Sequence, residues 1–333
     1  MTLQNLYFCH TPFHLYLSLL KVLTFPDTEV RAKILISDSL AAYEQLLIKQ
    51  FQHNNSVEVL LIKDMQYSSL LHKYENNEFK LFSLLKRRSR IKKIVKEVGV
   101  PKFDYNNSIF NVFNDSSTSF TYFFDKFDNI NLIEDGNRLY EKIQFGLVKH
   151  LLFHILKLPS LLQDGRYAKI RSIEAVAPQK LERKRRKKAI VLDISDMISK
   201  LTRYQISKLW QIFSLNGVQD LLINIDYSFT IILITQPLSE DGIMTEEQKI
   251  ELYKNVLLKY PSYNVILKKH PREKTNYALH NLTSSNIIYL PHNFPVELID
   301  FIINDKIHYG ITYNSSALKN IKNIKNKIQL KKQ

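Results

Sequence analysis

The chain holds only 7 glycines, and two of them close the same tripeptide, Glu134-Asp135-Gly136 and Glu240-Asp241-Gly242. A carboxylate beside a glycine can be aimed by a tight turn of positive φ, and an aimed carboxylate can take a proton from a hydroxyl. Alone, either tripeptide reads as an acidic surface turn. His270-Pro271-Arg272 follows Lys268 and Lys269. It offers an imidazole able to donate at neutral pH, a proline-fixed turn, and cations, Lys268 and Arg272 among them, that favour an anion. Tyr313-Asn314-Ser315-Ser316 brings two hydroxyls and backbone N–H groups to one turn. It reads as a phosphate or carboxylate cradle, or as a plain helix cap. What carries weight is that every one of these groups follows an apolar, strand-like run, and that they come in this order.

Those runs alternate with amphipathic segments. In the first half, strands are expected at Leu3–Cys9, Ala32–Ser37, Val57–Ile62, Ile109–Phe113 and Ile130–Ile133. Helices are expected at Pro12–Leu23, Leu40–Phe51 and, as a long basic helix, Glu78–Val98. Residues 149–188 read as helix and then loop, ending in the basic run Arg183–Lys188. That run reads as a solvated loop, with contact to acidic lipid or glycan as the second reading. The alternation then restarts: strands at Phe229–Thr235, Asn264–Lys268, Ile287–Leu290 and Ile307–Ile311, helices at Thr245–Lys259 and Pro295–Ile303. Thr245 with Glu246, Glu247 and Gln248 marks a helix start. The pattern predicts two α/β domains with parallel sheets, residues 1–170 and 190–333. In such sheets ligands gather at the carboxyl ends of strands, where the motifs fall. The lysine-rich tail after Leu318 reads as a truncated or degenerate end.

Composition narrows the classes. A chain of 333 residues with 45% hydrophobic content supports two cores. A formal net charge of +15 favours anionic partners: nucleic acid, an acidic membrane surface or an acidic activated sugar. One cysteine, Cys9, excludes an intramolecular disulfide and a thiolate cluster, and it reads as a core residue. A reducing cytoplasm fits, and neither a signal peptide nor a membrane span is visible. Any membrane contact is expected to be peripheral, on the inner face of the plasma membrane.

Acidic-acidic-Gly, His-Pro and Ser-Ser in this order resemble the motif set of bacterial sialyltransferases. Leu233–Gly242, Lys268–Glu273 and the opening Leu6–His14 most resemble glycosyltransferase family 52, which includes lipooligosaccharide and capsular sialyltransferases. The resemblance runs from the first strand to Leu318 and is read as stopping at the lysine-rich tail. It implies a GT-B-type fold, two Rossmann-like domains facing a cleft, and an inverting transfer of sialic acid from CMP-sialic acid to a sugar hydroxyl, with a galactose-terminated surface glycan as the expected acceptor. It implies neither metal nor other cofactor. By this mapping His270 is the acid on the phosphate side, and Ser315 and Ser316 bind the CMP phosphate. The catalytic carboxylate is Asp241 in preference to Asp135, with Glu134 beside the latter. Gly136, Glu240, Pro271, Arg272, Lys268, His10 and Thr11 complete the expected binding set. A homodimer is compatible with this reading.

Three rivals stand beside it: a polysialyltransferase or another CMP-ulosonic-acid transferase, a catalytically inactive relative, and a basic nucleic-acid-binding protein. The last calls for aromatics interleaved with basic residues on an exposed platform. Tyr122, Phe123 and Phe124 instead fall in an apolar, core-like run, and no nucleic-acid partner is expected.

Overall fold

The computed structural model describes residues 4–24, 32–51, 57–76, 80–140, 165–280, 282, 286–313, 315 and 317–330. The chain forms two compact units, residues 1–212 and 213–333.

The first unit contains β1 (Gln4–Cys9), α1 (Pro12–Thr24), β2 (Ala32–Ser37), α2 (Glu44–Phe51), β3 (Val57–Ile62), α3 (Asp64–Glu75), α4 (Lys80–Val98), β4 (Ser108–Val112), α5 (Thr118–Phe123), β5 (Asn129–Ile133), β6 (Ile170–Ala175), α6 (Arg183–Arg186), β7 (Ala189–Val191), α7 (Ile194–Ser199) and α8 (Arg203–Ile212). Its strands make one seven-stranded sheet, ordered β3-β2-β1-β4-β5-β6-β7, with every pairing parallel. Strands covered on both faces carry near-continuous apolar runs. Accordingly Leu6, Phe8, Phe110, Val112, Ile130 and Leu132 are buried against Ile91, Ile94 and Val95 of α4 and Phe120 and Phe123 of α5.

The second unit contains α9 (Leu215–Leu222), β8 (Thr230–Ile234), α10 (Glu246–Leu257), β9 (Asn264–Lys268), β10 (Ile287–Tyr289), β11 (Ile307–Thr312), α11 (Ala317–Asn320) and β12 (Ile324–Gln329). Its five-stranded sheet, β10-β9-β8-β11-β12, is again wholly parallel. α10 opens on a capping box between Thr245 and Gln248, as the sequence predicts. In both sheets the order reverses beside the first strand, between β1 and β4 and between β8 and β11. That reversal opens a crevice at the strands' carboxyl ends.

Four expectations change. The domain boundary falls at 212/213 rather than between 170 and 190, because β6 and β7 extend the first sheet and α7 and α8 pack on α1. Gln205 Nε2 of α8 donates to the Leu23 carbonyl at 2.6 Å. The run Arg183–Lys188 keeps Arg183, Lys184, Arg186 and Lys187 exposed, as expected, but it is not simply a loop. α6 lies in it, and Arg185 is buried with Nη1 donating to the Leu139 carbonyl at 2.8 Å. Lys188 Nζ donates to the carbonyls of Tyr167 and Ile170. The lysine-rich tail forms β12: its isoleucines turn inward beside β11 while its lysines face water. Residues 141–164, expected to be helical in part, lie outside the described residues. Finally, α3, α5, β6, β7, α7, α8 and α9 were not foreseen, and Leu40–Phe51 divides into a 3-10 turn at Asp38–Tyr43 followed by α2.

Candidate functional site

In the second unit, three turns gather at the carboxyl ends of β8, β9 and β11. The turn after β8 carries Glu240-Asp241-Gly242, with Gly242 at φ 68°. Asp241 Oδ1 and Oδ2 accept from Arg272 Nη1 and Nη2 at 2.7 and 3.1 Å, a bidentate pair on the surface. That hydrogen bonding, ahead of the opposing effect of burial, holds the Asp241 carboxyl below its ordinary range.

His270 lies on the turn after β9, and its backbone fixes its tautomer. Nδ1 accepts the Arg272 N–H at 3.1 Å, so in the neutral ring the proton sits on Nε2. Burial, then the nearby Arg272 and Lys268 charges, push its pKa down to about 4. The ring is therefore a neutral N–H donor at pH 7, one that brings no charge of its own.

Beneath these turns lies a network the sequence reading missed. Lys249, on the inward face of α10 and fully buried, reaches Glu240 and Glu246 at 3.0 Å and Glu273 at 3.5 Å. Glu240 also accepts the Lys274 N–H at 2.6 Å, and these partners overcome the effect of burial to bring its pKa down to about 2. Glu273, wholly buried, is bonded by Thr235 and Tyr277 and accepts the His270 N–H at 3.3 Å. Burial raises its pKa. The network clamps the β8 turn to the β9 turn, which fixes Asp241 and His270 relative to each other. A lysine recurring with Tyr253, Val256 and Leu257 on one helical face was the signal available in the sequence.

Several expected roles move. Lys268 does not face an anion: it is buried, donates to the His292 carbonyl at 3.0 Å, and has its pKa lowered to about 8 by burial. Glu240 is a clamp, whereas Pro271 and Arg272 are exposed on the turn. Ser315 Oγ accepts the Ala317 N–H at 3.2 Å, the helix-cap arrangement, which leaves its hydroxyl proton to donate elsewhere. Asn314 and Ser316 lie outside the described residues.

In the first unit a second group gathers at the ends of β1, β3 and β5. Asp135, 40% exposed, has Oδ1 at 2.9 Å from Nε2 of the buried His14, without the alignment of a hydrogen bond. His14 Nδ1 accepts the His10 N–H at 3.2 Å, which again leaves the proton on Nε2. The ring lies flat on Phe113, with centroids 4.3 Å apart. His10 Nδ1 stands 3.3 Å from Asp64 Oδ2, and its buried Nε2 has no hydrogen-bond partner among the described residues. Burial would raise the Asp64 pKa, but hydrogen bonds from His10 and Ser119 bring it down. His10 thus turns Nδ1 toward Asp64, and its Nε2 faces away from that pair. Thr11 turns out to cap α1, its Oγ1 accepting the His14 N–H at 3.2 Å. Glu134 is structural too: Oε2 accepts the Val176 N–H at 2.6 Å and the Tyr140 hydroxyl. Gly136 closes the turn at φ 86°. His14 and Asp64 were missed, although His14 stands one helical turn after His10. Cys9 is a core residue, as expected: it is buried, its pKa is pushed up to about 12, and its thiol is bonded to Ser18.

Residues 45–332 match the model of glycosyltransferase family 52. The match runs through β12, so the resemblance does not stop at the lysine-rich tail. It begins after Leu6–His14, which lies outside it. A Haemophilus influenzae protein described as uncharacterized is 34% identical over 187 residues, 56% of this chain and 57% of that protein. An α/β-galactoside α-2,3-sialyltransferase from Photobacterium phosphoreum has a similar fold, with a TM-score of 0.53, 14% identity and coverage of 99% of this chain and 90% of that one. The UDP-GlcNAc 2-epimerase of Neisseria meningitidis gives a TM-score of 0.50 at 15% identity, covering 93% of this chain and 78% of its own. At such identities these structures show the fold alone: two parallel-sheet α/β domains of the GT-B type.

Proposed function

The chain belongs to glycosyltransferase family 52, and from that premise we propose that it is an inverting sialyltransferase using CMP-sialic acid. The observation that carries this reading is the group on the second unit's switch-point turns: Asp241 paired with Arg272, and Arg272 adjoining His270, whose ring keeps Nε2–H as its donor. A carboxylate, a guanidinium and a neutral N–H donor meet the needs of a sugar leaving a phosphate.

In the proposed reaction the acceptor hydroxyl attacks the anomeric carbon of the sialyl group and yields its proton to Asp241. The bond from that carbon to the phosphate oxygen breaks on the opposite face, its electron pair passes to the phosphate, and CMP departs. His270 Nε2–H donates a hydrogen bond to the departing phosphate. A full proton is not needed, because a phosphate monoester has its second pKa near 6, so the neutral ring is adequate. The resting Asp241 is held by Arg272. An arriving phosphate competes for that guanidinium, and its capture by the donor frees Asp241 and neutralises the leaving group together. Ser315 adds a hydroxyl donor to the phosphate. In the first unit, His10 and Asp135 offer polar groups for sugar hydroxyls, and the metal-free chemistry belongs to the same proposal.

Incubation with CMP-sialic acid and a panel of galactose-terminated acceptors, with mass spectrometry of the products, tests it. A sialylated product with release of CMP is expected. No product from any acceptor would favour an inactive relative, while product only from another CMP-ulosonic acid would replace the donor and keep the site.

A further inference from the structure

The first unit carries a second feature that the transfer reaction leaves unused. At the other end of its sheet a hollow of about 640 Å³ opens between the last turns of α4 and the segment after α5. Gly99 and Val100 lie on the approach to β4, and Asp125 and Lys126 lie on the approach to β5. The hollow therefore sits at the amino ends of the strands, while His10, Asp64 and Asp135 follow their carboxyl ends. Lys92, Lys96, Lys102 and Lys126 line it, with Tyr122 and a single carboxylate, Asp125. Asp125 is already engaged by Arg88 and approached by Lys92 at 3.5 Å. Among the described residues, no carboxylate lies within ion-pairing distance of Lys96, Lys102 or Lys126. The Lys126 ammonium instead stands over the rings of Tyr105 and Tyr122, at 5.0 and 4.8 Å.

The charge continues along α4. Its outward face presents Leu85, Lys86, Ser89, Lys92, Lys93 and Lys96 at helical spacing, all exposed, with Glu97 at its edge 3.9 Å from Lys93. Its inward face buries Ile91, Ile94 and Val95. Leu85 is 49% exposed at the start of this basic stripe. Lysine near a helix C-terminus is favoured by the macrodipole, which accounts for Lys96 but not for Lys102 and Lys126, which converge from two other segments. An extended cationic face with an apolar residue at one end and an aromatic-walled hollow at the other is complementary to a flat anionic surface.

We propose that α4 and this hollow form a docking surface for an acidic phospholipid bilayer, with lipid phosphates lodged among Lys96, Lys102 and Lys126. The other basic run, Arg183–Lys188, is not this surface, since Arg185, Arg186 and Lys188 are spent on carbonyls inside the first unit.

Vesicle co-sedimentation tests the proposal on the full chain, with no reference to sugar transfer. The protein is expected to sediment with phosphatidylcholine vesicles containing phosphatidylglycerol, and not with pure phosphatidylcholine. Partition should fall about fivefold for each lysine removed, so Lys96→Gln with Lys102→Gln loses about 25-fold. The triple reversal Lys96→Glu, Lys102→Glu, Lys126→Glu should abolish it, with circular dichroism confirming the fold. Lys184→Glu with Lys187→Glu should sediment like the parent. Unchanged partition of the triple variant, equal binding to neutral vesicles, loss confined to the 184/187 variant, or a shift of single-stranded nucleic acid without vesicle binding would each overturn the assignment.

Discussion

The two acidic-Gly turns are the same three residues after the same kind of strand, yet they are held by opposite chemistry. Asp241 is gripped on both oxygens by a guanidinium. Asp135 is approached on one oxygen by a buried imidazole, and its other oxygen has no ion pair among the described residues. The neighbouring glutamates differ as well: Glu240 answers a buried lysine, whereas Glu134 ties down a backbone N–H and a tyrosine. A motif thus fixes where a carboxylate stands, and the partner decides what it can do. The Arg272 pair makes Asp241 a weak base until something removes the guanidinium. The His14 contact meets Asp135 at a single oxygen.

The sharpest way to break this comparison is to remove basicity while keeping shape. Asp241→Asn should lower turnover by about two to four orders of magnitude, and Asp135→Asn should mainly raise the acceptor KM, the mark of lost uniform binding. Steady-state kinetics that reverse this pattern would exchange the two roles.

The clamp beneath the second turn is centred on a fully buried lysine, whereas the Lys21–Glu174 pair beneath the first is partly exposed. Lys249→Met leaves Glu273 and Glu240 without their cation, and the loss of one partner from a buried ion network costs about 3–5 kcal/mol. Urea unfolding is the measurement. A loss below about 1 kcal/mol would mean that Thr235, Tyr277 and the backbone hold the carboxylates unaided.

A pH series addresses His270. Its pKa is lowered from 6.5 to about 4 in the folded state, so between those values the unfolded chain binds the extra proton. Stability therefore falls as pH drops through that window, by up to about 3 kcal/mol. His270→Gln should remove this contribution, and unfolding curves of both proteins from pH 7 to 4 that stay parallel would contradict it. The same series in kinetics tests the guanidinium: Arg272→Gln should raise the Asp241 pKa, moving the acidic limb of kcat/KM to higher pH while weakening donor affinity.

The smallest expected effect concerns the first turn. His14→Phe keeps the stack on Phe113 and removes the ring nitrogen facing Asp135. The acceptor KM should rise about twofold to threefold with kcat nearly unchanged, less than for a lost hydrogen bond, because the contact lacks hydrogen-bond alignment. A fall in kcat alone would give His14 a part in the chemistry.

The sequence by itself determined nine of the twelve described strands, because parallel strands buried on both faces must be continuous apolar runs, and Val57–Ile62 and Asn264–Lys268 were read at their observed bounds. It also determined the order of the motifs, the cap at Thr245 and the core place of Cys9, all of which are local chemistry. Tertiary structure alone decided the rest. Lys268 and Lys269 look alike in a row of cations, but burial turned Lys268 inward onto a carbonyl. Arg183–Lys188 looks like a solvated loop until α6 inserts Arg185 beneath Leu139. The lysine-rich tail looks degenerate until β11 supplies the edge on which its isoleucines alternate with its lysines. Asp135 and Asp241 are indistinguishable until a histidine from α1 and an arginine from the β9 turn reach them. In each case the deciding partner is distant in the chain, and neither composition nor spacing carries a record of distant contacts.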